Sequence, residues 1–490
     1  MEADRLANWP AGHSKQSGPG SGAAVLACIL LLCGCVQGPD FAKPRVEVPS
    51  AYRTPVQPDA ETTHELWWNG FGDPRLSALV SEALANNRDL RVATARVDEF
   101  AAILAGTKSQ ASPQVGYDLS GERARASEKK IPNFVDPLST TFASILSASW
   151  ELDLWGRIRR ETEAAQANLL ASEEARRGVT LTLIASVVTS YVTLLDLDEQ
   201  LRVTDQTIAG RKKSVELFET RLAGGWISEF EMSQVRAEYE AAVAQRPSIL
   251  QAIATQENAL SVLVGHNPTA IARSPSLESL HSPVVPAGLP SDLLNRRPDI
   301  LQAEQQLVAS NALIGVARAQ YFPRISLTGL FGFASPSLGG LFSGPARTWT
   351  LTGDARGPIY TGGGLKAAVQ QAEARREQSL ASYELVVQNA FRDVDDALAD
   401  VQHSAELRDT LERRVATLKR SVELATERYE NGYSDYLELL DAERSLFNAQ
   451  LQLASARGDY NRALVDLYRA LGGDWNAIPP VAPQTAAARR

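Results

Sequence analysis

The sequence predicts an α+β membrane protein with an internal tandem duplication, and with four membrane strands and very long helices in each chain. Three observations support this fold class. Two halves of about 200 residues share their motifs, four short segments alternate apolar with polar residues, and two segments of 67 residues contain no proline. The composition, 44% apolar and 22% charged over 490 residues, is that of a globular protein and excludes collagen-like, disordered and polytopic helical proteins.

The N-terminal region predicts an export signal and then an extended tether. Gly22 to Leu32 has the length of a signal-peptide core and is too short to cross a bilayer. It ends in Leu32-Cys33-Gly34-Cys35, which resembles a lipobox, so we expect residues 1–34 to be a lipoprotein signal peptide and Cys35 to carry palmitate. An ordinary cleaved signal is the alternative, and the poorly basic start leaves the translation start open. Residues 35–65, rich in proline, are expected to form a lipid-anchored tether.

The remaining chain is a tandem repeat. Asn86 to Leu90 aligns with Arg296 to Ile300 about 210 positions later, and Gly225 aligns in the same way with Gly432. We therefore assign residues 66–275 to the first repeat and residues 285–473 to the second. A Pro- and Ala-rich tail over residues 474–490 is expected to be disordered.

Each repeat contains two segments with strand periodicity. Apolar residues alternate with polar ones from Val115 to Leu119, from Leu146 to Leu154, from Ile325 to Phe333 and from Trp349 to Ala355. Four strands cannot close a barrel, and open edges do not survive in lipid, so several copies must contribute. A soluble sandwich is the alternative. The barrel is favoured by aromatic residues near the strand ends, namely Trp150, Trp155, Phe333, Phe342 and Trp349.

The helical segments predict long coiled hairpins. Arg157 to Ala223 and Leu365 to Asn431 would each span about 100 Å as continuous helices. A strict heptad with alanine at every second seam position predicts close, left-handed packing of the last helix; its members are Leu439, Ala442, Leu446, Ala449, Leu453, Ala456, Tyr460, Ala463, Leu467 and Ala470. The long helices are expected to turn at Gly225 and Gly432.

Little in the chain predicts catalysis or metal binding. All three cysteines lie at or before Cys35, and the five histidines form no HExxH pair. Gly362-Gly363-Gly364 before Lys366 does not meet the phosphate-loop pattern. The net charge of -9 comes without a dense basic block. We therefore expect no enzyme activity, no metal, no nucleic-acid partner, and no cofactor other than the covalent lipid on Cys35.

Several motifs together resemble the TolC-like outer-membrane efflux family, and more closely its NodT-type lipoprotein branch. They extend from Cys35 to about Trp475 and comprise Trp67-Trp68, Phe71-x-Asp73-Pro74-x-Leu76, Asn86-Asn87-x-Asp89-Leu90, Trp150-Glu151-Leu152-Asp153-Leu154-Trp155-Gly156, Gly288-Leu289-Pro290-Ser291-Asp292-Leu293-Leu294-x-Arg296-Arg297-Pro298-Asp299-Ile300, Tyr429-x-x-Gly432 and Leu437-x-Leu439-Leu440-Asp441-Ala442.

The resemblance implies a homotrimer whose twelve strands form one outer-membrane barrel, continued by a helical coiled-coil barrel across the periplasm. It also implies a passive, gated conduit for drugs or other small molecules, working with a periplasmic membrane-fusion adaptor and an inner-membrane RND-type pump. A periplasmic coiled-coil adaptor or spacer lipoprotein is the alternative, but the duplicated strand pairs favour the channel. The sequence does not specify which substrates are exported or which pump and adaptor are used.

The resemblance further implies functional residues near the hairpin turns. Leu437 and Asp441 correspond to the family's constriction, and because they lie four positions apart they share one helix face. In a trimer they would form a leucine ring and an acidic ring, which favours cations. A solvated helix face is the alternative. The turns at Gly225 and Gly432 are expected to contact the adaptor, and so, by proximity, are Arg221 and Arg428; the glycines could also serve only as helix caps.

Overall fold

The computed structural model describes residues 36–54, 66–129, 136–283, 285, 288 and 290–473, which form two compact units. The first unit comprises the residues up to Phe41, Ala105–Ala164 and Asn311–Ala374; the second comprises Ala42–Leu104, Ala165–Ser310 and the residues from Arg375 onward. The expected signal peptide, the expected lipid site at Cys35 and the expected tail over residues 474–490 lie outside the described residues.

The element order repeats once along the chain. The helices are α1 (Pro74–Asn86), α2 (Arg88–Ser109), α3 (Arg157–Ala223), α4 (Glu229–Val264), α5 (Leu293–Arg296), α6 (Pro298–Ala319), α7 (Gly364–Glu430) and α8 (Tyr436–Ala470). The strands are β1 (Gln114–Arg125), β2 (Leu138–Leu152), β3 (Arg324–Ser335) and β4 (Arg347–Arg356). The sequence α2-β1-β2-α3-α4 thus recurs as α6-β3-β4-α7-α8, and the expected fold class of long helices with four strands per chain is confirmed.

The four strands of the first unit form one antiparallel sheet in the order β1-β2-β3-β4. Its register places apolar residues beside apolar ones and polar residues beside polar ones across the four strands. One row consists of Tyr117, Leu146, Phe331 and Trp349, and a row on the opposite face consists of Gln114, Ser149, Thr328 and Thr352. One face is therefore largely apolar and the other largely polar. β2 ends at Leu152, earlier than the expected Leu154, because the Leu154 amide turns back to the Leu152 carbonyl at 2.9 Å.

The second unit begins with a motif that starts α1 and anchors its core. The Asp73 carboxylate accepts hydrogen bonds from the Arg75 amide at 2.8 Å and from the Tyr191 hydroxyl at 2.5 Å, while Pro74 occupies the first helical turn. Phe71 and Tyr191 are fully buried. Burial and the bond to Asp73 raise the pKa of Tyr191 to about 12, so its hydroxyl stays a proton donor.

Two motif residues join helices end to end within the second unit. The side-chain amide nitrogen of Asn87 donates to the Leu263 carbonyl at the end of α4 (2.9 Å). Its side-chain oxygen accepts from the backbone amide of Leu90 at the start of α2 (2.9 Å). In the second repeat, Arg297 donates to the Ala470 carbonyl at the end of α8 (2.9 Å). Helix ends carry unpaired carbonyl and amide groups, so these side chains satisfy groups that the fold would otherwise bury without partners.

The hairpin of α7 and α8 has the apolar seam that its heptad predicts. Leu411 and Val415 of α7 pack against Ala449, Leu453 and Ala456 of α8. An 18-residue stretch of α3 is apolar enough to cross a membrane by length and composition, with a mean hydropathy of 1.8, but 61% of it is buried against the rest of the protein. Burial of this kind is typical of a core helix.

Candidate functional site at the hairpin turns

The first hairpin turn follows α3 and has a backbone conformation that requires glycine. Gly225 has a φ of 73°, its amide donates to the Leu222 carbonyl at 2.9 Å, and the Trp226 amide donates to the Arg221 carbonyl at 2.9 Å. This pattern caps the last turn of a helix through a residue in the left-handed region. A Cβ atom on Gly225 would contact nothing within 4 Å, so conformation alone demands glycine.

The second hairpin turn repeats this geometry. Gly432 has a φ of 75°, its amide donates to the Tyr429 carbonyl at 3.1 Å, and the Tyr433 amide donates to the Arg428 carbonyl at 2.8 Å. Each return helix then starts with a side-chain cap, from Ser228 before α4 and from Asp435 before α8. The duplication has therefore preserved the turn in both repeats, at matched distances from the helix ends.

Aromatic side chains project from both turns, and sequence reasoning missed them. Trp226 is 82% exposed and its equivalent Tyr433 is 78% exposed. Phe230, 68% exposed, occupies in α4 the position that Leu437 occupies in α8. The offset between the repeats could have identified these pairs, because it aligns each residue after Gly225 with one after Gly432.

A compact apolar cluster lies next to the turns and joins the two hairpins. It takes buried residues from all four helices, namely Phe218, Met232, Val235, Ala425, Tyr436 and Leu439. The Phe218 and Tyr436 rings lie 4.3 Å apart between centroids. Within the second unit, the two hairpins are therefore packed together at their turns and cannot move apart without exposing this cluster.

The two arginines expected at the turns have different surroundings. Arg221 donates a hydrogen bond to the Tyr429 hydroxyl, and its guanidinium lies 5.3 Å from the Tyr429 ring and 5.6 Å from the Phe218 ring. Arg428 pairs with Glu438 at 3.1 Å, and both side chains are about half exposed. Arg221 thus links α3 of one hairpin to α7 of the other, whereas Arg428 links the two helices of its own hairpin.

The expected constriction residues lie on an exposed face of α8. Leu437 is 47% exposed. The Asp441 side chain is 66% exposed and pairs with Arg444 at 2.6 Å. Leu439 and Ala442, between and beside them, pack into the cluster of the two hairpins instead. In the single chain, the Leu437 and Asp441 side chains are therefore accessible to solvent.

A buried charged group lies between α3, α4 and α8. Arg211 of α3 is largely buried, pairs with Glu238 at 3.2 Å and stacks on the Phe447 ring at 5.4 Å. Burial raises the pKa of the neighbouring Glu443, Arg211 opposes this and Glu238 adds to it. Among the residues that the structure describes, no group of three His, Cys, Asp or Glu side chains is arranged to hold a metal.

A four-stranded sheet with one apolar face and two long coiled hairpins ending in glycine turns defines a subunit of an outer-membrane channel. A model of the outer membrane efflux protein family matches residues 79–266 and 289–473, and the chain belongs to this family. It is an outer-membrane channel component of an efflux system, as its relatives are.

Named relatives and solved structures agree with this assignment. The chain is 35% identical over 456 residues to the solvent efflux pump outer membrane protein SrpC of Pseudomonas putida, covering 91% of this chain and 97% of SrpC. It is 35% identical over 458 residues to the cation efflux system protein CusC of Escherichia coli O157:H7, covering 91% and 98%. The open-state outer membrane channel MtrE of Neisseria gonorrhoeae superposes with a TM-score of 0.82 at 31% identity, covering 90% and 98%.

Proposed function

We propose that three copies of this chain form a passive conduit, closed by a gate at the hairpin turns, that carries small molecules out across the outer membrane. The sheet supports this proposal most directly. In the row of Tyr117, Leu146, Phe331 and Trp349, every side chain is at least half exposed in the single chain. An apolar face of this kind fits lipid, and the polar face fits a water-filled lumen.

The sheet edges argue for several copies. In the described part of the chain, β1 and β4 each pair with one strand only. Unpaired amide and carbonyl groups cost several kcal/mol each in hydrocarbon. Pairing β4 of one copy with β1 of the next removes both edges, and three copies would close a barrel of twelve strands. Conduction through such a pore needs no catalysis by the chain itself.

The gate would lie near the hairpin turns, and the partner proteins would bind there. Leu437 and Asp441 would line the constriction, with Asp441 favouring cations over anions. The exposed turns at Gly225 and Gly432, together with Trp226 and Tyr433, would dock a periplasmic adaptor that connects to an inner-membrane RND-type pump. Arg221 would support the turns by joining the two hairpins, and Arg428 by joining the two helices of its own hairpin. The pump supplies the energy and most of the substrate selection.

The N-terminus would add a lipid anchor in the outer membrane through acylation of Cys35. One acyl chain alone binds a membrane only marginally, so the anchor would act together with the barrel. Replacing Cys35 with serine should abolish incorporation of labelled palmitate.

Disulfide trapping tests the trimer. Beyond Cys35 the chain has no cysteine, so introduced pairs report without background. A cysteine at Ser120 in β1, combined in turn with one at Thr348, Thr350 or Thr352 in β4, should yield covalent dimers and trimers in outer membranes for at least one register. Ala143→Cys in β2 is the matched control, because Ala143 is the register partner of Ser120 on the same face of the sheet; combined with the same β4 positions it should stay monomeric. Absence of crosslinks in every β1 and β4 combination would contradict edge pairing.

A further inference from the structure

The segment from Val36 to Phe41 has no helix or strand, yet its backbone is held at consecutive residues by the first unit. The Gln37 amide donates to the Trp155 carbonyl at 3.1 Å, and the Asn311 side chain donates to the Pro39 carbonyl at 2.9 Å. Trp155 follows β2, and Asn311 lies in α6. A loose tether would not form such bonds, so this segment is part of the fold.

Arg160, in the first turn of α3, makes most of the contacts. Its side chain is only 6% exposed. It donates to the Gln37 carbonyl at 3.1 Å, to the Gly38 carbonyl at 3.3 Å and to the Asp40 carboxylate at 2.7 Å. Glu163 accepts the remaining bond at 2.7 Å. A planar guanidinium can bind several acceptors at once, and few other side chains could replace it here.

Glycines make the close approach possible. A Cβ on Gly38, whose φ is 93°, would lie 2.4 Å from the Gly315 Cα, and a Cβ on Gly315 would lie 2.5 Å from the Gln37 carbonyl oxygen. A Cβ on Gly156 would lie 2.8 Å from the Val36 side chain. The segment therefore occupies a slot that is shaped for backbone atoms, between the start of α3 and the C-terminal half of α6.

We propose that Arg160 and Gly315 form a docking seat for residues 37–40, and that this seat fixes the N-terminus at the junction of β2 and α3. Arg160 is the positioning residue of the seat. The seat stands independently of the lipid, but its consequence rests on the proposed function: Val36 packs on Gly156, so an acyl chain on the preceding Cys35 would enter the membrane beside the root of the barrel.

The seat also makes the N-terminal segment a structural ligand of the first unit. Without residues 37–40, Arg160 would keep its charge but lose three of its four acceptors. A buried charge without acceptors is strongly unfavourable. Proper folding of the start of α3 is therefore coupled to delivery of the N-terminal segment into its slot.

Hydrogen exchange on the purified full-length protein tests the seat. Gly315→Ala is the sharpest variant, because alanine favours the helix while its methyl group blocks the slot. In Gly315→Ala and in Arg160→Gln, the Gln37 amide, which donates to the Trp155 carbonyl at 3.1 Å, should exchange about tenfold faster or more than in the wild type. Arg159→Gln is the matched control, since Arg159 is half exposed and pairs with Asp153 at 3.5 Å; it should exchange as the wild type does.

Coupling between the variants separates the seat from general destabilisation. If both act by releasing the segment, the Gln37 amide of the double variant Gly315→Ala/Arg160→Gln should exchange no faster than in the faster single variant. Multiplicative acceleration, or wild-type exchange in Arg160→Gln, would overturn the proposal. Exchange is read on folded protein without a channel assay, so failure of the conduit hypothesis would appear separately, as a wild type that shows a protected Gln37 amide but no conductance.

Discussion

Replacing Arg221 with alanine should loosen the contact between the two hairpins at their turns and increase channel opening. The variant removes the hydrogen bond to the Tyr429 hydroxyl and the stacking on the Tyr429 and Phe218 rings. A cation–π contact contributes about 0.5–2 kcal/mol, and a hydrogen bond of a charged group about 1.5–3 kcal/mol. Because the site is only partly buried, we expect about 2 kcal/mol in total, or about a 30-fold shift toward the open state.

Single-channel recording in planar bilayers measures this shift as open probability. Arg428→Ala is the matched control, since Arg428 occupies the equivalent position but pairs with the exposed Glu438 of its own hairpin. Loss of such a surface pair costs about 0–1 kcal/mol and releases no contact between hairpins. Tyr429→Phe should reproduce part of the Arg221→Ala effect, and the two should be less than additive. Equal open probabilities for Arg221→Ala and Arg428→Ala would refute this reasoning.

Three further predictions concern the same region. Leu437→Ser combined with Asp441→Asn should raise single-channel conductance and reduce cation preference in a bilayer reversal-potential measurement; unchanged values would remove both residues from the constriction. Gly432→Ala should cost about 1–2 kcal/mol in an unfolding experiment, because alanine must adopt a φ of 75° although space is free. Burial raises the pKa of Glu443, so the folded protein binds this proton more tightly than the unfolded chain, and the cost of burying its charge disappears as the pH falls through that raised pKa. Glu443→Gln should therefore raise Tm at about pH 8 and have little effect at about pH 4; a variant that is less stable than the wild type at pH 8 would show that Glu443 gains more from Arg211 than it loses by burial.

Most of the fold could be predicted from the sequence pattern of apolar residues, prolines and glycines. The bounds of α3 were predictable because a stretch without proline ends at a pair of glycines, and α7 differs from its expected bounds by one residue at each end. The strands were predictable because the register aligns apolar residues on one face. The end of β2 was not, since the alternation continues through Leu154 while the backbone already turns.

Side-chain partners were harder to predict than positions. Arg221 and Arg428 match in the repeat, yet their neighbours differ: Leu222 in the first repeat corresponds to Tyr429 in the second, and only the second offers a hydroxyl and a ring. Sequence alignment of the repeats cannot show that Tyr429 receives Arg221 from the other hairpin. The seat of residues 37–40 could not be predicted for another reason: two of its three bonds from Arg160 go to backbone carbonyls, which leave no side-chain pattern in the sequence, and the third goes to the distant Asp40.

Closure of the membrane pore requires three copies of this chain. The most direct measurement is the mass of the detergent-extracted outer-membrane protein, with planar-bilayer conductance recorded on the same fraction. A trimer with small, rarely open conductance that increases in the Arg221→Ala variant is the predicted result. A monomer that conducts no ions in this detergent extract would contradict the barrel and the conduit together.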